Sequence, residues 1–274
     1  MFTLNCRGRL LVIDSPIVMG IINATPDSFY SGSRQESVEG ALQKAEEMLK
    51  QGATILDIGG QSTRPGSEMG GVEEEIKRVM PVIDAIAGTF PEAYISIDTF
   101  HSQVAKAAVD SGASIINDIS SGQFDPEMLA TAASLKAPYI GMHLKGTPET
   151  MHIKQDYDDV IADVLAFFIR KAEECRKLGI TDFIPDPGFG FSKKTEDNFR
   201  LIKYLEAFSV LQKPLLLGVS RKSTIYKTLG TTPEESLNGT TVLNTAGLLK
   251  GAAILRVHDI KEAMEAIRLT NYLK

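Results

Sequence analysis

The sequence predicts an α/β protein, a single (β/α)8 TIM barrel over residues 1–274 with an N-terminal β-hairpin and two long βα lid loops. Three observations carry that reading. A loose repeat recurs in which a helical stretch ends in glycine, a short apolar run follows and a polar residue closes it. It is seen at Gly52-Ala-Thr-Ile-Leu-Asp57, Gly112-Ala-Ser-Ile-Ile-Asn117, Gly179 to Asp186 and Gly251-Ala-Ala-Ile-Leu-Arg256. Four further apolar runs, Ile17–Ile22, Tyr94–Ile97, Pro138–Met142 and Pro214–Gly218, make eight candidate strands. The segments between them carry helical stripes, such as Val38, Ala41, Leu42, Ala45 and Leu49, or Ile161, Leu165, Phe168, Ala172 and Cys175.

Each element has a local reason. Phe2–Asp14 reads as a hairpin turning at Arg7-Gly8 and placed to plug the barrel bottom. The eight runs are too short for helices and do not strictly alternate, so they suit parallel strands buried on both faces. Glycine before a run fits the left-handed position that stops a helix. Eight strand-helix units in this length suit a barrel; an open, doubly wound sheet has the same local pattern. Two connections, Ala24–Glu36 and Gly59–Val72, exceed ordinary βα turns of about 2–6 residues. The second holds five glycines, and both follow strand ends, where lids form.

Composition limits the function. Apolar residues make up 43 % and charged residues 23 % of the chain, as in globular proteins. A formal charge of −6 and a pI near 5.4 argue against nucleic-acid partners, which need a basic face. An anionic substrate must therefore be caught by a few local cations. Arg7 and Arg9 resemble a signal-peptide start, but Asp14 and Pro16 interrupt the apolar run after them. No apolar stretch approaches membrane-spanning length. With only two distant cysteines, Cys6 and Cys175, the expectation is a cytoplasmic protein without a membrane partner.

Chemistry concentrates where apolar runs end. Asn23 closes the first run, where its amide can bind a hard cation or a phosphate, or make a turn with Thr25-Pro26. Arg64 lies in the second long loop and suits an anion or a flat ring, though a loop arginine is also an ordinary solvated charge. Asp98 can steady a cation or hold a ring N–H; the alternative is a helix cap, a role for which Ser102 is better placed. Asn117-Asp118 and Asp186-Pro187-Gly188 place amide and carboxylate groups suited to the edge of a heterocycle; for Asp186 the alternative is a role in the tight turn alone. Lys222 follows the seventh run, where barrels often hold phosphate. Arg256 and His258, two apart, suit a diphosphate, with a structural role as the alternative for His258. His101, His143 and His152 lack zinc spacing, and neither a nucleophile elbow nor a phosphate-binding glycine motif occurs.

In order along the chain, Asn23–Phe29, Asp57–Gly66, Ile97–Thr99, Asn117–Ser120, Gly146-Thr147-Pro148, Asp186–Phe191, Ser220–Ser223 and Arg256–His258 closely resemble the dihydropteroate synthase family. The resemblance implies a homodimeric barrel that joins 6-hydroxymethyl-7,8-dihydropterin diphosphate to 4-aminobenzoate and releases diphosphate. By position, Asp98, Asn117, Asp186 and Lys222 would hold the pterin, with Met142 against its ring. Asn23, Arg256 and His258 would bind diphosphate, Arg256 and His258 as cations, with Mg2+ at Asn23. Thr63 would touch diphosphate and Arg64 would help build the closed lid. Ser62, Pro65, Gly190, Phe191 and Ser220 would border the substrates. Asp98, Lys222, Arg256 and His258 would carry catalysis through an SN1-like C–O cleavage. The chain departs from the family at Leu144-Lys145, Tyr30-Ser31 and Thr224. Two rivals share the barrel: a pterin-binding methyltransferase domain serving a corrinoid protein, and a catalytically silent pterin-binding scaffold.

Overall fold

In a computed structural model the chain folds as the predicted barrel, and the structure describes residues 1–24, 34–61, 70–147, 150 and 153–273. Strands β1 (Phe2–Cys6) and β2 (Arg9–Ile13) form the antiparallel hairpin. Arg7 and Gly8 both have positive φ, as a tight two-residue hairpin turn requires. The barrel strands are β3 (Ile17–Asn23), β4 (Ile55–Gly59), β5 (Tyr94–Asp98), β6 (Ile115–Asp118), β7 (Tyr139–Met142), β8 (Phe183–Asp186), β9 (Leu215–Leu217) and β10 (Ala252–Val257). Hydrogen-bonded neighbours run parallel in the order β8-β7-β6-β5-β4-β3-β10-β9, and β8 lies against β9 at the seam.

The helices lie outside this ring: α1 (Arg34–Gln51), α2 (Val72–Thr89), α3 (Ser102–Asp110), α4 (Met128–Leu135), α5 (Val160–Leu178), α6 (Thr195–Lys203), α7 (Ser223–Leu229), α8 (Leu237–Leu249) and α9 (Ile260–Asn271). The four repeat glycines, Gly52, Gly112, Gly179 and Gly251, all take positive φ, so the sequence repeat is a repeated helix stop. Ser102 is not the cap expected of it. It is the first residue of α3, and its N–H is held at 2.7 Å by Asp125 from across the loop. Thr99 Oγ1 accepts the His101 N–H at 3.1 Å instead.

Alternation along each strand sorts the core into two layers. Val18, Ile22, Leu56, Ile58, Ile95, Ile97 and Val257 face the helices. Met19, Ile55, Ile115, Ile140, Ile184, Leu216 and Ile254 fill the barrel floor, where the hairpin's Leu4, Cys6, Leu11 and Ile13 cover them. The hairpin is therefore the plug that the sequence suggested. Replacing Leu4 with alanine is expected to lower stability by about 2–5 kcal/mol, read as a shift in denaturant midpoint. Turnover at low temperature should hold, because the mouth is at the other end; a selective loss of turnover in the folded variant would contradict that separation. Cys6 and Cys175 are free and buried, and burial pushes both thiols up to about 12. Among the described residues no helix is long and apolar enough to cross a membrane.

Candidate active site

A parallel barrel delivers the C-terminal ends of its strands to one face. Register assembles the first part of the mouth: Asn23 pairs with Gly59, Gly59 with Asp98, and Asp98 with Asn117. Farther round, Met142 pairs with Asp186. Gly218 shows how closely the remaining strands converge. A Cβ there would lie 3.7 Å from Lys222 Nζ and 3.9 Å from both Asp186 Oδ2 and Arg256 Cβ. Asp98, Asn117, Met142, Asp186, Lys222 and Arg256 therefore share one mouth, with Asn23, Ser220 and His258 at its rim. Ser62, Thr63, Arg64 and Pro65 lie outside the described residues, as do Thr25–Phe29, Tyr30, Ser31, Pro148 and His152.

Arg256 is the centre of the charge pattern. Its Nε donates to Asp57 Oδ2 at 2.6 Å and its Nη2 to Asp98 Oδ2 at 2.5 Å. Asn117 Nδ2 also donates to Asp57 Oδ2, at 3.1 Å. Among the described residues Arg256 Nη1 makes no hydrogen bond, so one face of the guanidinium is uncommitted. Burial pushes the Asp98 carboxyl up to about 7, against the lowering pull of Arg256. The two carboxylates hold the guanidinium in its charged form. Asp57 is fully buried, and its Oδ1 has no hydrogen-bond partner among the described residues. An orphaned carboxylate oxygen is costly unless a ligand or water satisfies it.

Beside this cluster stand Asp186 and Lys222. Asp186 Oδ1 accepts the Gly188 N–H at 2.8 Å. Burial raises its carboxyl pKa, and Lys222 opposes that rise. Lys222 donates to the Phe189 carbonyl at 2.6 Å, and its Nζ lies 4.7 Å from the centre of the Phe191 ring. Burial lowers its ammonium to about 8, although Asp186 resists. Gly190, at φ +87, runs beside it; a Cβ there would come within 3.0 Å of Lys222 Cδ. Phe100, Ile119, Met142 and Leu144 make an apolar wall, with Phe124 and Phe191 packed on it. A flat heterocycle can lie on such a wall while its edge meets carboxylates and an ammonium.

His258 differs from the expectation of a second cation. Ser220 Oγ accepts the His258 backbone N–H at 3.2 Å and lies 2.9 Å from its Nδ1. The hydroxyl proton can therefore go to Nδ1, leaving Nε2 as the donor. Burial, then Arg256 and Lys44, push the imidazole down to about 4. The ring is thus neutral near pH 7 and acts as a hydrogen-bond donor. Asp118 also departs from its expected pattern. It points away from the mouth and accepts Ser120 N, Ser120 Oγ, Gly122 N and Tyr139 Oη, each at 2.7 Å.

Several mouth residues carry roles that their local sequence does not announce. Asp57 lies within the segment Asp57–Gly66, and its parity with Ile55 is the signal that it faces inward. Gln61 brackets the second long loop. Its amide accepts from Gly70 N at 3.0 Å, and donates to Gly70 O at 2.7 Å and to Glu75 at 2.9 Å. Two family departures are accommodated locally. Leu144 joins the apolar wall, and Lys145 sits 3.8 Å over the Tyr157 ring. Thr224, where the family resemblance would put a bulky apolar residue, accepts through Oγ1 from the buried Asn198 at 3.2 Å, a bond that an apolar side chain could not make.

Among the described residues no group of three or more His, Cys, Asp or Glu is arranged to hold a metal ion. Asn23 offers a single hard oxygen. That donor set fits a magnesium ion that takes its other ligands from water and phosphate oxygens, as Mg2+ commonly does.

Comparison with known proteins agrees with this geometry. Residues 19–258 match the model of the pterin binding enzyme family. The dihydropteroate synthase of Escherichia coli K12 is 43 % identical over 265 residues, covering 96 % of this chain and 93 % of that protein. The Xanthomonas albilineans dihydropteroate synthase solved with 4-aminobenzoic acid superposes with a TM-score of 0.92 at 38 % identity, covering 99 % and 97 % of the two chains. The same enzyme in complex with 7,8-dihydropteroate gives 0.89 at 36 %, covering 99 % and 98 %. With this barrel, this mouth and these relatives, the chain belongs to the dihydropteroate synthases of the pterin-binding enzyme family.

Proposed function

We propose that the chain joins 6-hydroxymethyl-7,8-dihydropterin diphosphate to 4-aminobenzoate, forming 7,8-dihydropteroate and diphosphate in folate synthesis. The observation that carries this reading is Arg256 held between Asp57 and Asp98, with Asp186 and Lys222 close beside it in one apolar-walled mouth. The reaction breaks the bond from the pterin methylene to the diphosphate oxygen. Positive charge develops on the methylene and spreads into the ring. Aniline nitrogen then forms the C–N bond and loses its proton to solvent. An aniline needs no strong base for this.

Each side chain then has a task. Asp98, Asn117, Asp186 and Lys222 read the pterin edge while Met142 supports its face. Ionised Asp98 stabilises the ring cation as it forms. Arg256, through its uncommitted Nη1, and His258, through Nε2, donate to the departing diphosphate. Ser220, Gly190 and Phe191 border the aminobenzoate, with Ser62 and Pro65 contributed from the second loop, where Thr63 would touch the diphosphate and Arg64 would help build the closed lid. Asn23 would hold Mg2+, which supplies charge neutralisation for the leaving group. Excluding water matters, since water would trap the cation as an alcohol.

The homodimer that the family resemblance implies belongs to the same reading. The buried free cysteines suit a reducing cytoplasm. None of the relatives described above is a corrinoid-linked methyltransferase, and Asp98, Lys222 and Arg256 are all in the mouth, against a silent scaffold. Purified protein given both substrates and Mg2+ is expected to form dihydropteroate and diphosphate in equal amounts, followed by chromatography and a coupled phosphate assay. Folded protein that forms neither would overturn the reading.

A further inference from the structure

Lys193 is buried behind the mouth, between the exit of β8 and the start of α6, and nothing proposed above uses it. Its ammonium donates to three main-chain carbonyls: His143 at 3.1 Å, Gly188 at 2.9 Å and Phe191 at 3.1 Å. The first carbonyl belongs to the exit of β7 and the other two to the exit of β8. These exits press together. A Cβ on Gly188 would meet the His143 carbonyl oxygen at 2.0 Å, His143 N donates to Asp186 O at 2.9 Å, and Lys145 N donates to Ser192 Oγ at 2.9 Å. The segment from 188 to 191 is thus gripped from both sides. Lys193 takes the carbonyls of Gly188 and Phe191, and Lys222 takes that of Phe189.

We propose that Lys193 is a positioning residue for the reaction: it fastens the exits of β7 and β8 together and so fixes Asp186, Phe191 and Lys222 toward the two substrates. The inference rests on the function proposed above. An ammonium carries three N–H groups and the cradle offers three carbonyls; a guanidinium is planar and wider, and an amide has only two donors. The charge has a second effect. Asp186, whose carboxyl pKa burial raises, is flanked by Lys222, Arg256 and Lys193. Around Lys193 stand Asp186, Lys222, Lys145 and Asp197, while burial keeps His143 neutral, down to about 2. Burial also lowers Lys193 itself to about 7. Without this cation Asp186 keeps two of its three positive neighbours and protonates at higher pH.

The test compares full-length wild type with Lys193→Met and Lys193→Gln. Calorimetry with 6-hydroxymethyl-7,8-dihydropterin, the bare alcohol, measures pterin affinity at pH 6 and pH 8. Melting curves and steady-state kinetics run in parallel. The expected result is a folded variant whose pterin affinity falls at least tenfold, with a steeper loss at pH 6 than at pH 8. kcat should fall as well, and Lys193→Arg should recover less than half of the loss. A folded variant with wild-type affinity at both pH values overturns the proposal. So does failure of both variants to fold, which would assign Lys193 to stability alone. If wild type itself does not turn over, the proposed function fails; if it turns over and the variants match it, only this inference does.

Discussion

Asp98→Asn is expected to leave the barrel folded and to lower kcat by roughly 10²–10³, the scale set by removing one preorganised electrostatic stabiliser. The substitution is nearly isosteric, and the amide oxygen it introduces can still accept from Arg256. What disappears is the negative charge facing the developing pterin cation. Stability should not suffer. Burial raises the folded pKa of Asp98 to about 7 from an ordinary 3.8, so between those values the native state binds more protons than the unfolded one. Stability therefore falls as pH rises across that window, and above it the native state bears the full cost of a buried carboxylate. A neutral amide never bears that cost. The same group sets the acid limb of the wild-type rate: kcat/KM should fall as pH drops below about 7 and Asp98 takes up its proton. Lys222, lowered to about 8, sets the alkaline limb as it loses its own. The Asp98→Asn profile should lack the acid limb. A variant with wild-type kcat, or one that keeps that limb, would remove Asp98 from cation stabilisation.

The extent to which this site was legible in the sequence follows from the geometry of strands. Eight apolar runs closed by polar residues located eight strand exits, and a barrel brings all exits to one face. Asp98, Asn117, Asp186 and Arg256 were therefore identifiable as neighbours although they lie up to 158 residues apart in the chain, the span of the Arg256–Asp98 bond. The hairpin was legible because Arg7-Gly8 joins two apolar runs. What was not legible was pairing. Nothing local distinguishes an arginine that waits for an anion from one already held by two carboxylates, because that depends on which strands become neighbours. The pairing of β10 with β3, which in turn pairs with β4, brings Arg256 within reach of Asp57. Protonation was hidden for the same reason. His258 read as a cation beside Arg256, but burial against that same arginine makes it neutral. Lys193 and Lys194 are adjacent and alike in sequence; only the fold buries the first and exposes the second.

Arg256→Met should have the second large effect, and its form tests how the mouth divides its labour. The guanidinium compensates two carboxylates, Asp57 with no exposed side-chain surface and Asp98 at 17 %. Removing one partner of a buried ion pair commonly costs about 3–5 kcal/mol, because the remaining charge is left uncompensated. Part of that cost can be escaped by protonation, and Asp98, already raised, is the group that would protonate. The acid limb of any residual activity should therefore move upward from about 7. Binding should separate the two roles of the arginine. Loss of its grip on Asp57 and Asp98 weakens binding of the pterin alcohol and the pterin diphosphate alike. Loss of its Nη1 donor weakens the diphosphate alone, by about 1.5–3 kcal/mol for a hydrogen bond to a charged group, or roughly 10- to 150-fold. Arg256→Lys should restore charge but not the bridge, since a single ammonium cannot reproduce the fork that meets both carboxylates. Calorimetry with the alcohol and the diphosphate, on wild type and both variants, reads this difference directly. Equal losses for the two ligands would mean that Arg256 only organises the carboxylates and never meets the leaving group.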